Sequence, residues 1–203
     1  MKLRESKTGE AVYTMIFTVT ITALCIAVVA GAYQLTKAKI ELNERQFIRR
    51  AILEAAGYTL PNSPAEIEQL YLKEIRDTGD SQTPSYYRTI QGNYVFPSTG
   101  TGLWGKIDAM VGLSRDFQTI TGVSFTANNE TPGLGARIVE DWFRKQFKGK
   151  REPLSFVNEG SKSSDDRQFD GITGATVTTS AVRDMINKTL KNAPAAVWEE
   201  KQK

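Results

Sequence analysis

The sequence predicts an α+β fold in which a single N-terminal transmembrane helix precedes an antiparallel-sheet domain flanked by helices. Three observations predict it. Between Glu10 and Lys37 lie 26 residues without a charge. From Tyr86 onward, short β-rich runs follow one another with turn residues between them. Helical segments stand before and after those runs and do not alternate with them, which argues for a sheet covered on one side.

The uncharged run, AVYTMIFTVTITALCIAVVAGAYQLT, would be roughly 39 Å long as a helix, against a hydrocarbon core of about 30 Å. It reads as a membrane anchor. A cleaved leader is the alternative, with Lys2, Arg4 and Lys7 ahead of the run and Ala30-Gly31-Ala32 as its cleavage site; its apolar part would normally be only about 7 to 15 residues. Basic residues flank both ends, Lys37, Lys39, Arg45, Arg49 and Arg50 lying on the far side, so the positive-inside count slightly favours a cytoplasmic main domain.

From Lys37 to Gly57 a helix is expected, with Phe47, Ile48, Ala51, Ile52 and Ala55 on one face and Gly57 as its stop. Ser63-Pro64-Ala65-Glu66 has the form of a capping box with proline at the first helical position, and opens a second helix carrying Ile67, Leu70, Tyr71 and Ile75. Residues 79–84, GDSQTP, read as a loop. Strands are expected at 86–90, 93–96, 107–113 and 119–126, separated by Gly92-Asn93, by PSTGTGLWG and by Ser114-Arg115-Asp116. A third helix is expected from Arg137 to Phe147, ended by Gly149, and residues 157–167 form a polar surface loop. Val182, Met185, Ile186 and Leu190 lie on one face of a last helix. Three parts follow: residues 1–36 as N-terminal segment and membrane helix, 37–80 as a helical connector packing on the domain, and 81–203 as the ligand-binding domain.

Composition narrows the chemistry. The chain has no histidine and one cysteine, Cys25 inside the apolar run, so zinc, haem and blue-copper sites of the usual kinds are excluded and no metal ligand is assigned. Net charge is +3 with scattered basic residues, which gives no nucleic-acid footprint. Asp165, Asp166 and Asp170 cluster in a polar stretch and read as solvation ahead of acid/base work.

Three stretches carry chemistry. In DGITGATVTTSAV, residues 170–182, a turn enters the last helix. Gly174 permits close backbone approach, Ala175 leaves room, and the helix-start N–H groups with neighbouring hydroxyls form an anion site. A Walker loop would need a lysine that is missing here, so a phosphate monoester fits better than a magnesium triphosphate. A threonine-rich helix cap is the plainer alternative. In NETPGLG, residues 129–135, Glu130 and Thr131 offer an acceptor and a hydroxyl on a tight turn shaped by Gly133, Leu134 and Gly135. In TGTGLWG, residues 99–105, the glycines mimic a dinucleotide fingerprint, but a strand follows where a helix is needed, leaving a ligand-contacting loop that carries Trp104.

Together, DGITGATVTTSAV, NETPGLG and GLWGKIDAMVGL behind one membrane helix resemble the FMN-binding subunits of two membrane complexes: the C component of the sodium-translocating NADH:quinone reductase and the G component of the Rnf electron-transport complex. KAKIELNERQFIRRAILEAAG looks closer to the quinone-reductase protein. The resemblance implies that a flavin transferase moves FMN from FAD onto Thr176, the last threonine of Thr173-Gly174-Ala175-Thr176, as a phosphoester. It implies a recognition or activation role for Asp170, and an isoalloxazine lined by Glu130, Thr131, Gly133, Leu134 and Gly135. Thr178 and Thr179 are expected to donate hydrogen bonds to the phosphodiester, and Trp104 to lie near the ring. The implied function is electron transfer within an ion-translocating NADH:quinone or ferredoxin:NAD oxidoreductase, catalytic only with the other membrane subunits, with the soluble domain on the outer side of the plasma (inner) membrane. A membrane-anchored domain that binds a phosphorylated ligand noncovalently, or scaffolds partners, is the competing function.

Overall fold

In a computed structural model, residues 7–78 and 85–200 are described. The predicted 79–84 loop lies outside them. The first helix, α1 (Lys7–Ala55), runs without a break through the uncharged stretch. It is long and apolar enough to cross a membrane by length and composition. The chain divides into two compact units, residues up to Arg45 and residues from Gln46 onward.

In the second unit, α2 (Pro64–Glu74) passes directly into β1 (Ile75–Thr78). Ile75, predicted on the helix, instead starts the sheet with extended backbone. Ser63 does occupy the N-cap, but its side chain makes no capping hydrogen bond. Four more strands follow: β2 (Tyr86–Thr89), β3 (Tyr94–Thr101), β4 (Lys106–Leu113) and β5 (Ile120–Asn128). The five form an antiparallel sheet in chain order. The PSTGT segment, predicted as a break, belongs to β3: Thr99 pairs with Asp108 and Thr101 with Lys106, so only residues 102–105 turn.

The sheet is covered on both faces, not one. Val95, Tyr87 and Met110 share a buried cluster with Ala51, Ile52, Leu53, Ala55, Ile67 and Tyr71. Their chain neighbours Tyr86, Tyr94, Phe96, Ala109 and Val111 point the other way and pack with Phe143, Val182, Ile186 and Leu190. Successive strand residues alternate faces, so consecutive apolar residues such as Tyr94-Val95-Phe96 require two covers; the period-2 pattern of a half-wet sheet is missing there.

Beyond the sheet, the predicted third helix is split. A 3₁₀ turn at Gly135–Val139 ends where Glu140 adopts extended backbone (φ −68°, ψ 144°), and a short α3 (Asp141–Lys145) follows. Ile138, Phe143 and Phe147 are buried, but Val139, which one continuous helix would set on the face of Phe143 and Phe147, is 46% exposed, so the break turns Ile138 inward in its place. The polar 157–167 stretch is bracketed by two short parallel strands, β6 (Ser155–Val157) and β7 (Gln168–Asp170). The last helix, α4 (Thr176–Glu200), lays Val182, Met185, Ile186 and Leu190 into the core as predicted.

Candidate functional site

The turn into α4 is held from several sides. Ala175 N–H donates to Ile172 O (3.0 Å), Ile172 N–H donates to Thr179 Oγ1 (3.1 Å), and Thr179 N–H donates to Ala175 O (2.9 Å). Gly174 sits at φ +77°, where other residues are strained, and a side chain there would press on Leu134. Thr176 heads the helix with its residue exposed, as are Thr173 and Gly174, while Ala175 is buried. The first N–H groups of a helix have no intrahelical acceptor and carry the positive end of its dipole. Those of Thr176 and Val177, both exposed residues, accordingly lie beside the Thr176 hydroxyl, which fits a phosphate esterified there.

Thr178 and Thr179 do not serve as expected. They are 1% and 0% exposed, and their hydroxyls are engaged inward. Thr178 Oγ1 donates to Glu130 Oε2, and Thr179 Oγ1 accepts from Ile172. Helical geometry explains this: two and three residues past Thr176, the side chains have rotated from the helix mouth to the core face. They shape the site from within.

Glu130 ties the three sequence stretches together. Buried at 6% exposure, it takes the Thr178 hydroxyl on one oxygen and the Trp104 N–H (3.0 Å) on the other. Its own N–H donates to Asn128 Oδ1. The carboxylate leaves no room for a side chain at Gly102 or at Gly135, where a Cβ would lie 2.6 Å from Thr178 Oγ1 and 2.7 Å from Glu130 Oε2. These two glycines are therefore fixed by packing. Thr131 is exposed, its carbonyl accepting from Leu134 and Ala136 N–H; Gly133 turns at φ +76°. The turn leaves Leu134 exposed near Gly174, and the Trp104 side chain is 67% exposed. Leu103 and Val177 are exposed as well.

Asp170, from the same motif, is engaged by backbone amides of the 157–167 stretch. Its carboxylate is buried and accepts from the backbone of Gly160 (2.8 Å) and Lys162 (3.1 Å). Its own backbone is clasped by the Gln146 side-chain amide. Two residues that carry no sequence motif complete the turn. Glu159 accepts the Thr173 N–H (2.8 Å) and is held by Arg137 through both oxygens. Those two sets of donors, Arg137 first, pull the Glu159 carboxyl from its ordinary 4.5 to about 2. No local pattern marks Glu159, because its partners lie 22 and 14 residues away.

The FMN-binding domain family matches residues 102–191, the span that contains all of these contacts. Over 187 residues the chain is 32% identical to the G component of the ion-translocating oxidoreductase complex of Methanosarcina acetivorans, covering 90% of this chain and 94% of that protein. The chain belongs to this family of FMN-binding subunits. Its relatives also include the C component of the Na(+)-translocating NADH-quinone reductase of Yersinia pestis, 33% identical over 100 residues, 46% of this chain and 38% of that protein. The crystal structure of the C component from Parabacteroides distasonis superposes with a TM-score of 0.65 at 26% identity, over 77% of this chain and 94% of that one. The family fold is thereby the fold of this chain. The match that reaches along α1 is to a G component, whereas the KAKIELNERQFIRRAILEAAG segment is predicted to resemble the quinone-reductase protein.

Proposed function

We propose that this chain is the covalently flavinylated, membrane-anchored electron carrier of an ion-translocating redox complex, its G component, with FMN joined through a phosphoester to Thr176. The observation that carries the reading is the exposed Thr176 hydroxyl at the open N–H end of a 25-residue helix, on a turn set by Gly174. Among the described residues no base is hydrogen-bonded to that hydroxyl, as activation of a nucleophile would need. A transferase must supply one: Thr176 Oγ bonds to the FMN-side phosphorus of FAD, the bond to AMP breaks, and the hydroxyl proton leaves to the transferase. With FMN attached, the helix-start amides would face the phosphodiester, and Leu134, Trp104 and the 131–135 turn would flank the ring. When bound, FMN supplies the redox chemistry; the protein fixes its position and keeps it from dissociating.

Coverage of nearly the whole Methanosarcina relative favours the G-type assembly, and α1 supplies the anchor. Other subunits of the complex and a flavin transferase are the partners in this reading, and the soluble domain lies on the outer face. The test is direct. Co-expressed with a flavin transferase, denatured and run on a gel, the wild-type band should fluoresce under ultraviolet light, and Thr176→Ala should be dark. A dark wild-type band would leave noncovalent binding of a phosphorylated ligand as the better reading.

A further inference from the structure

The motif aspartate and Glu159 form one chain of contacts that ends on the acceptor turn. Asp170 lies at the end of β7, with its carboxylate on the N–H groups of Gly160 and Lys162. Those residues closely follow Glu159. Gln146 holds the Asp170 backbone at both N–H and C=O, so the anchor is fixed to the segment after α3. From the other side Arg137 grips Glu159 with two nitrogens, at 2.8 and 3.2 Å, and its guanidinium lies 5.2 Å over the Trp142 ring. What Glu159 does with this support is accept the Thr173 N–H, three residues before Thr176.

We infer that Glu159 is a positioning residue for the modification of Thr176: gripped by Arg137 and seated by Asp170, its carboxylate fixes the backbone of the turn that presents the acceptor hydroxyl. The inference rests on the flavinylation reading above. The turn needs such a clamp because Gly174, at its apex, has more conformational freedom than any other residue type, and Thr173 and Gly174 are exposed. With Ile172 N–H on Thr179 and Ala175 N–H on Ile172 O, the Thr173 N–H is a handle by which a distant part of the protein holds this end of the turn, and the Thr173 side chain hydrogen-bonds the same carboxylate. Glu159 also takes that amide out of competition for a phosphate, leaving the anion to the amides that start α4. Asp170 accordingly acts in the motif through the loop it holds, without touching the reacting atoms.

The experiment uses the full chain in detergent with its flavin transferase and FAD, and measures kcat and KM for the acceptor protein by in-gel fluorescence. A misplaced acceptor lowers the chemical step more than docking. Glu159→Ala should therefore lose about tenfold or more in kcat with KM changed by less than about twofold. Glu159→Gln keeps an oxygen for the Thr173 N–H and should stay within about threefold of wild type. Independently of flavin, hydrogen exchange at the Thr173 amide should be about tenfold faster in Glu159→Ala than in wild type. Wild-type kcat and exchange in Glu159→Ala would overturn the inference, as would a change confined to KM, which would make Glu159 a docking contact for the transferase. Should Glu159→Ala fail to fold, Arg137→Gln decides: a lower kcat and faster Thr173 exchange support the clamp, and wild-type values sink it. An unlabelled wild-type protein would fault the flavinylation reading, and amide exchange alone would then judge the clamp.

Discussion

Glu130 stands buried between two donors, the Trp104 N–H and the Thr178 hydroxyl, and so joins the 102–105 turn, the 129–135 turn and α4 at one carboxylate. Removing it strands the buried Thr178 hydroxyl and unties the part-buried Trp104 N–H, and a buried polar group that loses its partner costs the full desolvation penalty. Glu130→Ala is expected to destabilise the domain by about 2 to 3 kcal/mol, read as a shift in urea midpoint at unchanged m-value. Every residue in this junction except Asn128 is singled out by its local motif. The sequence could not tell that Thr178 and Thr179 face the interior, because hydroxyl-rich helix starts look alike whichever way the first turn is rotated. Nor could it find Glu159, whose importance lies wholly in partners distant along the chain.

At the scale of elements, the sheet receives the end of α1 at a pair of glycines. A side chain at Gly112 would collide with the Ala55 carbonyl and Thr121 Oγ1, and one at Gly122 with the Glu54 and Ala55 carbonyls. The Thr121 hydroxyl donates to Ala55 O at 2.7 Å, satisfying a carbonyl that a helix end leaves open. Ser124 donates to Glu54, which also pairs with Arg144 of α3, so both flanking layers are pinned to β5. Because the obstacle at Gly112 is backbone, it cannot swing away. Gly112→Ala should cost about 3 kcal/mol or more, visible as a large drop in Tm, whereas Gly149→Ala should be felt only through its positive φ, since nothing lies within 4 Å of its added carbon. Helix α2, the strands β2 to β5 and the apolar face of α4 were legible from periodicity, whereas β1, whose Ile75 was expected on the helix, was not. The break at Glu140 was not: the spacing of Val139, Phe143 and Phe147 fits one continuous helix, whereas the 3₁₀ turn buries Ile138 and leaves Val139 exposed.

For the whole molecule, the proposed sidedness is testable. If the domain lies on the outer face as proposed, protease added to intact cells should remove the fluorescent domain, and persistence of the full-length fluorescent band would place it inside. Charge near the span favours the opposite side only slightly, and assembly with other subunits can override so small a bias. By itself the sequence determined the apolar helix, the α+β class, the absence of histidine chemistry and the threonine at 176, since each depends on residues that are close in the chain. Tertiary structure decided what depends on distant ones: that the sheet is covered on both faces, that Thr178 and Thr179 turn inward, and that the Asp170 carboxylate is taken up by the Gly160 and Lys162 amides. It also decided that Glu130 and Glu159, 29 residues apart in number, hold one turn from two sides. Local pattern fixes which groups are present; only packing fixes the direction in which each group spends its hydrogen bonds.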